Sequence, residues 1–241
     1  PPILSSSHSP FSSLFFSALM SAYAAHPLIL LEILIVLPEE GGNMRINVRS
    51  TRRVEYLKDL ETALPLVLQF LVSFMQTAGT TSVIRNKILE CLTSWLHIGD
   101  LEPSQILSNP LFSFAFDAIA DPELFDSCVE LISSLIRLTE DVQRYVSVVS
   151  FILPRVMSLK DLFAQAIADD DESSIKGLCI VFSEAGESYL KLISKGGAEA
   201  LFILDALLQC TSYSNHEISS IPFRFWMMLH KLLRQEQQGT H

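Results

Sequence analysis

The chain has 241 residues, 49% of them apolar and only 18% charged, which excludes global disorder, since disorder needs low hydrophobicity and high net charge. Nine glycines and eleven prolines are too few for a turn-rich β architecture and favour helices buried on more than one side. Seventeen Lys and Arg against 27 Asp and Glu give a formal charge of −10, a surface that repels nucleic-acid phosphate and attracts basic proteins instead.

Residues 1–10 (PPILSSSHSP) read as a flexible lead-in, and the absence of an opening Met is what a fragment would show. From Phe11 to Leu37 the only formal charge is Glu32, a length that invites a membrane-helix reading. Ser12, Ser13, Ser17 and Ser21 interrupt its first half, His26-Pro27 divides it, and no basic stretch precedes it. Two short buried helices joined at His26-Pro27 are expected, with no membrane insertion.

Pro38 is expected to end the second of these and Glu39-Glu40-Gly41-Gly42 to open a loop. Arg45, Arg49, Arg52 and Arg53 cluster next. From Thr51, Val54, Leu57, Leu60, Leu64, Val67, Leu68, Leu71 and Phe74 recur at helical steps. Pro65 is expected to kink or divide that helix, and Gly79 to follow its end. Ser82 is the N-cap candidate of the next helix, with Ile84, Ile88, Cys91, Leu92 and Trp95 on its buried face. Further helices are predicted over 111–120, 124–138, 140–159 (carrying Pro154), 161–168, 173–193, 198–210 and 216–233. No stretch alternates as a half-buried strand does.

Four of these segments, ILECLTSWLHI, FDSCVELISSLI, GLCIVFSEAGESYL and EISSIPFRFWMML, share small or thiol residues among large apolar ones. They start roughly 40–50 residues apart, the spacing of two-helix HEAT or armadillo repeats. One helical hairpin cannot bury its apolar face alone, so neighbours stack into a common core. Ser94, Ser127, Ser133 and Ala185 are the candidates for close helix approach. The expected fold class is all-α, an α-α superhelix of HEAT/armadillo-like repeats.

Chemical motifs are scarce. Cys91, Cys128, Cys179 and Cys210 lie far apart in apolar runs without a CxxC pair, so buried free thiols in a reducing compartment are expected. Asp169-Asp170-Asp171-Glu172 lacks the alternating ligands, central Gly and distal Glu of a calcium loop and reads as a solvated helix start. Six dispersed histidines show no HExxH, and neither GxSxG nor GxxxxGK occurs. No catalytic, cofactor-binding or metal-ligating residue is named, no cofactor is expected, and the chain is read as not an enzyme. Trp95 and Trp226 sit in strongly apolar helices and read as core rather than as interface anchors. Arg45, Arg49, Arg52 and Arg53 are the candidate partner-contact residues, against the plainer reading of a solubilising loop. Asp59, Glu61, Asp117, Glu123 and Asp126 are candidates for an acidic concave face suited to basic cargo.

LLEILIVLPEE (Leu30–Glu40), VIRNKILECLTSWLHIG (Val83–Gly99) with its Ser94-Trp95 pair, DPELFDSCVELISSLI (Asp121–Ile136), DVQRYVSVV (Asp141–Val149), GLCIVFSEAGESYL and FRFWMML (Phe223–Leu229) follow in collinear order. Together they resemble the importin-13/transportin-3 branch of the importin-β family of nuclear transport receptors. The resemblance covers roughly residues 28–234. It implies a HEAT-repeat segment at 28–234, resembling the exportin-1/importin-β-like region, between a poorly matched lead-in and helix at 1–27 and a polar tail at 235–241. It further implies protein cargo, control by the GTP form of the Ran GTPase, nucleoporin contacts through the full-length receptor, and shuttling between nucleus and cytoplasm. A HEAT-repeat scaffold of a cytosolic complex without Ran dependence is the alternative.

Overall fold

The computed structural model describes residues 11–23, 25–42, 49–77 and 79–239. Among these every regular element is a helix, and the chain divides into two compact units, Pro1–Leu101 and Glu102–His241. The first unit contains α1 (Phe11–Ala22), α2 (Pro27–Gly42), α3 (Ser50–Met75) and α4 (Ser82–Leu96). Here α1 packs on α3 while α2 packs on α4, so successive helix pairs stack in two layers. Among the described residues no helix is long and apolar enough to cross a membrane. The sequence 11–42 folds as two helices parted before Pro27, as expected, but they are not buried throughout: Phe16 of α1 is buried while Leu14 and Phe15 are exposed, and α2 leaves Leu28, Ile29 and Val36 exposed.

The second unit repeats this arrangement with α5 (Pro103–Ser108), α6 (Pro110–Ala118), α7 (Phe125–Leu138), α8 (Val146–Ser158), α9 (Lys160–Ala168), α10 (Glu172–Ser188), α11 (Leu190–Ile193), α12 (Ala198–Thr211), α13 (His216–Ser219) and α14 (Phe223–Gly239). Helices α7, α10 and α14 form one layer, and α5, α8 and α12 the other. The chain is thus all-α, an arrangement of helical repeats consistent with HEAT/armadillo-like architecture. The four mutually similar sequence segments are α4, α7, α10 and α13–α14, the second members of successive pairs. Their apolar faces supply many of the fully buried side chains, Trp95, Phe182 and Phe225 among them.

Several boundaries differ from the sequence reading, each for a local reason. Pro38 does not end α2, which continues to Gly42. A mid-helix proline cannot donate to the carbonyl four residues back, here Leu34 O, and that carbonyl accepts the indole N–H of Trp95 at 2.8 Å instead. Pro65 likewise lies within an undivided α3. Thr81 rather than Ser82 caps α4, its hydroxyl accepting from Ile84 N at 3.4 Å. The short α5 was not expected from periodicity; Glu102 N donates to the side-chain oxygen of Gln105 at 2.9 Å to start it. Residues 140–145 are not helical. The Asp141 carboxylate accepts from Gln143 N and Arg144 N in a turn that competes with helix, and α8 starts at Val146. Tyr189 divides α10 from α11, and Ser220 to Pro222 divide α13 from α14.

Close helix approach comes from glycines more than from the serines. Ser133 and Ala185 are buried while Ser94 and Ser127 are only half-buried. A Cβ on Gly177 would lie 2.5 Å from the Phe125 ring, and one on Gly186 would lie 2.8 Å from Phe225 and 2.9 Å from Leu207. The expectation of four free thiols is corrected. Cys91 and Cys128 are free and buried, but Cys179 of α10 and Cys210 of α12 are joined as a disulfide. The two cysteines lie 31 residues apart in the chain and meet only because α10 and α12 pack together, so spacing carried no sign of the pairing.

Candidate partner-contact surface

Arg49, Arg52 and Arg53 stand at the start of α3; Arg45 lies outside the described residues. Arg49 is the N-cap residue, with no side-chain capping bond and no carboxylate in the first helical turn. Three guanidinium groups therefore gather at the positive end of the helix dipole, where anions are favoured and cations are not. Arg49 and Arg52 are exposed and Arg53 is half-buried and engaged.

The last turn of α2 faces this start. Glu40, Gly41, Arg52, Arg53, Glu55, Tyr56 and Asp59 line a cleft of about 370 Å³. Tyr56 fixes one wall, its hydroxyl donating to Leu37 O at 2.8 Å. Burial, then the charge of Glu40, pushes the Tyr56 hydroxyl above the ordinary tyrosine range, so it stays a neutral donor. Gly41 is buried against the Tyr56 ring and Leu57, where a Cβ would sit 3.1 Å from each. The cleft mixes both signs of charge, with Glu40, Glu55 and Asp59 beside Arg52 and Arg53.

The five carboxylates proposed as an acidic face are divided between the units. Asp59 belongs to the cleft in the first unit and Glu61 packs beside Gly99 there. Asp117, Glu123 and Asp126 belong to the second and are exposed. Asp126 occupies the first turn of α7, where a carboxylate complements the helix dipole.

The acidic run 169–172 forms the turn into α10. Asp171 caps the helix, accepting from Ser174 N at 3.2 Å and from its hydroxyl at 2.6 Å. These bonds hold its carboxyl below the usual range. Asp170 (φ +52°) accepts from Tyr213 at 2.9 Å and Glu172 from Asn215 at 3.0 Å, which stitches this turn to the one after α12. Among the described residues no three His, Cys, Asp or Glu side chains gather as a metal-binding group. Trp95 is wholly buried, and Trp226 is half-buried, donating to Thr211 Oγ1 at 2.8 Å. Sequence reasoning missed Tyr56 and the α2–α3 cleft, because the tyrosine stands one turn beyond the arginines and signals nothing until α2 folds against it.

Stacked two-layer helical repeats within each unit define the class, an all-α repeat protein of HEAT/armadillo-like architecture. The family profile described as Exportin 1-like protein matches residues 5–132, more than half of the chain, and the chain belongs to that family. The Transportin-3/Importin-13 second TPR domain profile matches residues 170–241. Similar relatives include Transportin MOS14 of Arabidopsis thaliana, 29% identical over 86% of this chain and 22% of its own length. Importin-13 of Homo sapiens is 31% identical over 84% of this chain and 21% of its own length, and importin-13 of Bos taurus is similar to the same degree. The homology is thus to the importin-13/transportin-3 branch. The chain spans about a fifth of the length of these curated relatives.

Proposed function

We propose that this chain is a segment of a nuclear transport receptor of the importin-13/transportin-3 branch, one that binds protein cargo under the control of Ran in its GTP form. The observation that carries this reading is similarity to importin-13 and Transportin MOS14 running through 84–86% of the chain on a scaffold of stacked helical repeats. The role is non-enzymatic. The full-length receptor shuttles between nucleus and cytoplasm and engages nucleoporins. Its repeat segment here is assigned to residues 28–234, between a lead-in at 1–27 and a polar tail at 235–241. Arg49, Arg52 and Arg53, with Arg45 in the preceding residues, contact an acidic patch on Ran or on cargo. Three cations at an uncapped helix start support that assignment, since they are poorly placed for stability and well placed for a carboxylate-bearing partner.

The test is co-precipitation of cargo with the full-length parent in the presence of Ran loaded with GTP or with GDP. Release by the GTP form alone is expected. Equal retention with both forms would reject Ran control and leave a Ran-independent HEAT scaffold. R49E/R52E in the same parent is expected to weaken partner binding about tenfold or more, in a salt-dependent way.

A further inference from the structure

The four cysteines of the described chain fall into two classes. Cys91 and Cys128 are free and buried. Burial pushes the Cys91 thiol well above its ordinary value, and burial followed by the charge of Asp121 pushes Cys128 up to about 12. A thiol so placed supplies almost no thiolate, the reactive form. Cys179 and Cys210 instead face each other, 6.0 Å apart at Cα, inside the range a disulfide bridges without backbone movement. Both are fully buried.

Their position gives the pair leverage. Cys179 lies in the middle of α10, and Cys210 in the last turn of α12, the first long helix of the following pair. The chain reaches α12 through Gly196 and Gly197, at φ +79° and +130°, conformations in which glycine is at home and other residues are strained. On its far side α12 leaves Leu201 and Leu208 exposed, so its hold on the unit comes from one face.

We propose that Cys179 and Cys210 form a redox-operated latch between α10 and α12, closed and opened by exchange with a small disulfide such as glutathione. In closure, one protein thiolate attacks oxidised glutathione, forming a mixed disulfide and releasing one glutathione thiolate. The second protein thiolate then attacks the protein-side sulfur and expels the other glutathione. The two protons given up by the protein thiols end on the two glutathione thiolates. Opening is the reverse. Because neither sulfur reaches solvent, exchange in either direction requires α12 to swing out on its glycine connection, so the latch reports and then fixes the state of this seam. The latch is independent of the transport reading.

The test uses the intact chain equilibrated in oxidised or reduced glutathione, acid-quenched, denatured and alkylated with iodoacetamide for mass measurement. Two alkylated cysteines, Cys91 and Cys128, are expected from the oxidised sample and four from the reduced one. Hydrogen exchange across residues 198–211 should quicken about tenfold on reduction, and the unfolding midpoint should fall by about 5–10 °C. C179A and C210A should each abolish the redox dependence of that midpoint. Four alkylated residues in both samples would overturn the pairing, and two in both would make the bond a permanent staple. A redox-dependent midpoint persisting in C179A or C210A would likewise overturn the latch.

Discussion

The two units tie their stacked helices together through different atoms. In Pro1–Leu101 a side chain reaches a main-chain carbonyl directly, Trp95 to Leu34 and Tyr56 to Leu37. In Glu102–His241 a threonine stands between. Thr139 donates within α7, to Leu135 O or Ile136 O, and meets Tyr189 at 2.7 Å. Thr211 donates to Leu207 O and accepts from Trp226. Charge divides just as unevenly. Seven cations nearly balance eight carboxylates in the first unit, whereas the second sets ten against nineteen, so almost all of the net charge of −10 resides there. Ion pairs serve both units, Lys87–Glu32 at 2.8 Å between α4 and α2 in the first and Arg137–Glu184 at 2.7 Å and Arg224–Glu187 at 3.1 Å in the second. The contrast lies in the neutral bonds, where a directly captured carbonyl relies on one side chain and a threonine relay shares the task between two.

The sharpest way to break the comparison is at Trp95. Trp95→Ala should cost about 3–5 kcal/mol in urea unfolding, since it empties a fully buried site. Trp95→Phe keeps most of the volume and should still cost about 1–3 kcal/mol, because Leu34 O is left without a donor. Adding Pro38→Ala restores the helical N–H that this carbonyl lacks, so W95F/P38A should recover much of that loss. Equal stability of W95F and the double variant would show that the indole contributes packing alone.

Next in size are the glycines of the second unit. Gly177→Ala should destabilise by about 1–3 kcal/mol through overpacking against Phe125 and Val129, partly offset by better helix propensity. F125L in that background should relieve it. Gly186→Ala should cost somewhat less, its nearest neighbours being 2.8 and 2.9 Å away.

A threonine relay should be removable as a pair. Thr139→Val leaves the buried Tyr189 hydroxyl without its partner and should cost about 1–2 kcal/mol, while T139V/Y189F, with neither polar group, should return close to the parent. A double variant no better than T139V would erase the distinction between the units.

The smallest effect concerns Glu187. Burial, the largest influence on it, holds its carboxyl above the ordinary glutamate value despite Arg224. The folded state thus binds the proton more tightly than the unfolded one. Stability from this group is full below the unfolded pKa and declines as pH rises through the folded one. Glu187→Gln should flatten the stability profile across that window, raising stability slightly at its upper end; a profile parallel to the parent would reject the assignment.

Much of this fold was legible because apolar residues recur every three or four positions and neighbouring pairs repeat the pattern. Three of the four similar segments, at α7, α10 and α14, form one layer of the second unit. What stayed hidden depended on partners remote in sequence. Pro38 reads as a helix stop unless a donor 61 residues downstream of Leu34 is known to serve the orphaned carbonyl. Gly177 and Gly186 look incidental until Phe125 and Phe225 are laid against them, and nothing in the spacing of Cys179 and Cys210 announces their meeting. At the candidate contact surface the arginines were visible in the sequence, but the cleft was not, since its other wall is the end of α2.

Helix α2 is apolar on nearly every side, and leucine packs on leucine almost equally well after a slide or a twist. Such a helix has little intrinsic sense of phase. The proline at position 38 supplies one by leaving a single acceptor that only the indole at position 95 fills. Advancing α4 by one residue would carry that donor about 1.5 Å along the axis and about 100° around it, losing the bond altogether. Pro38 and Trp95 thus act as a lock and its key, turning an interchangeable greasy seam into one with a single alignment.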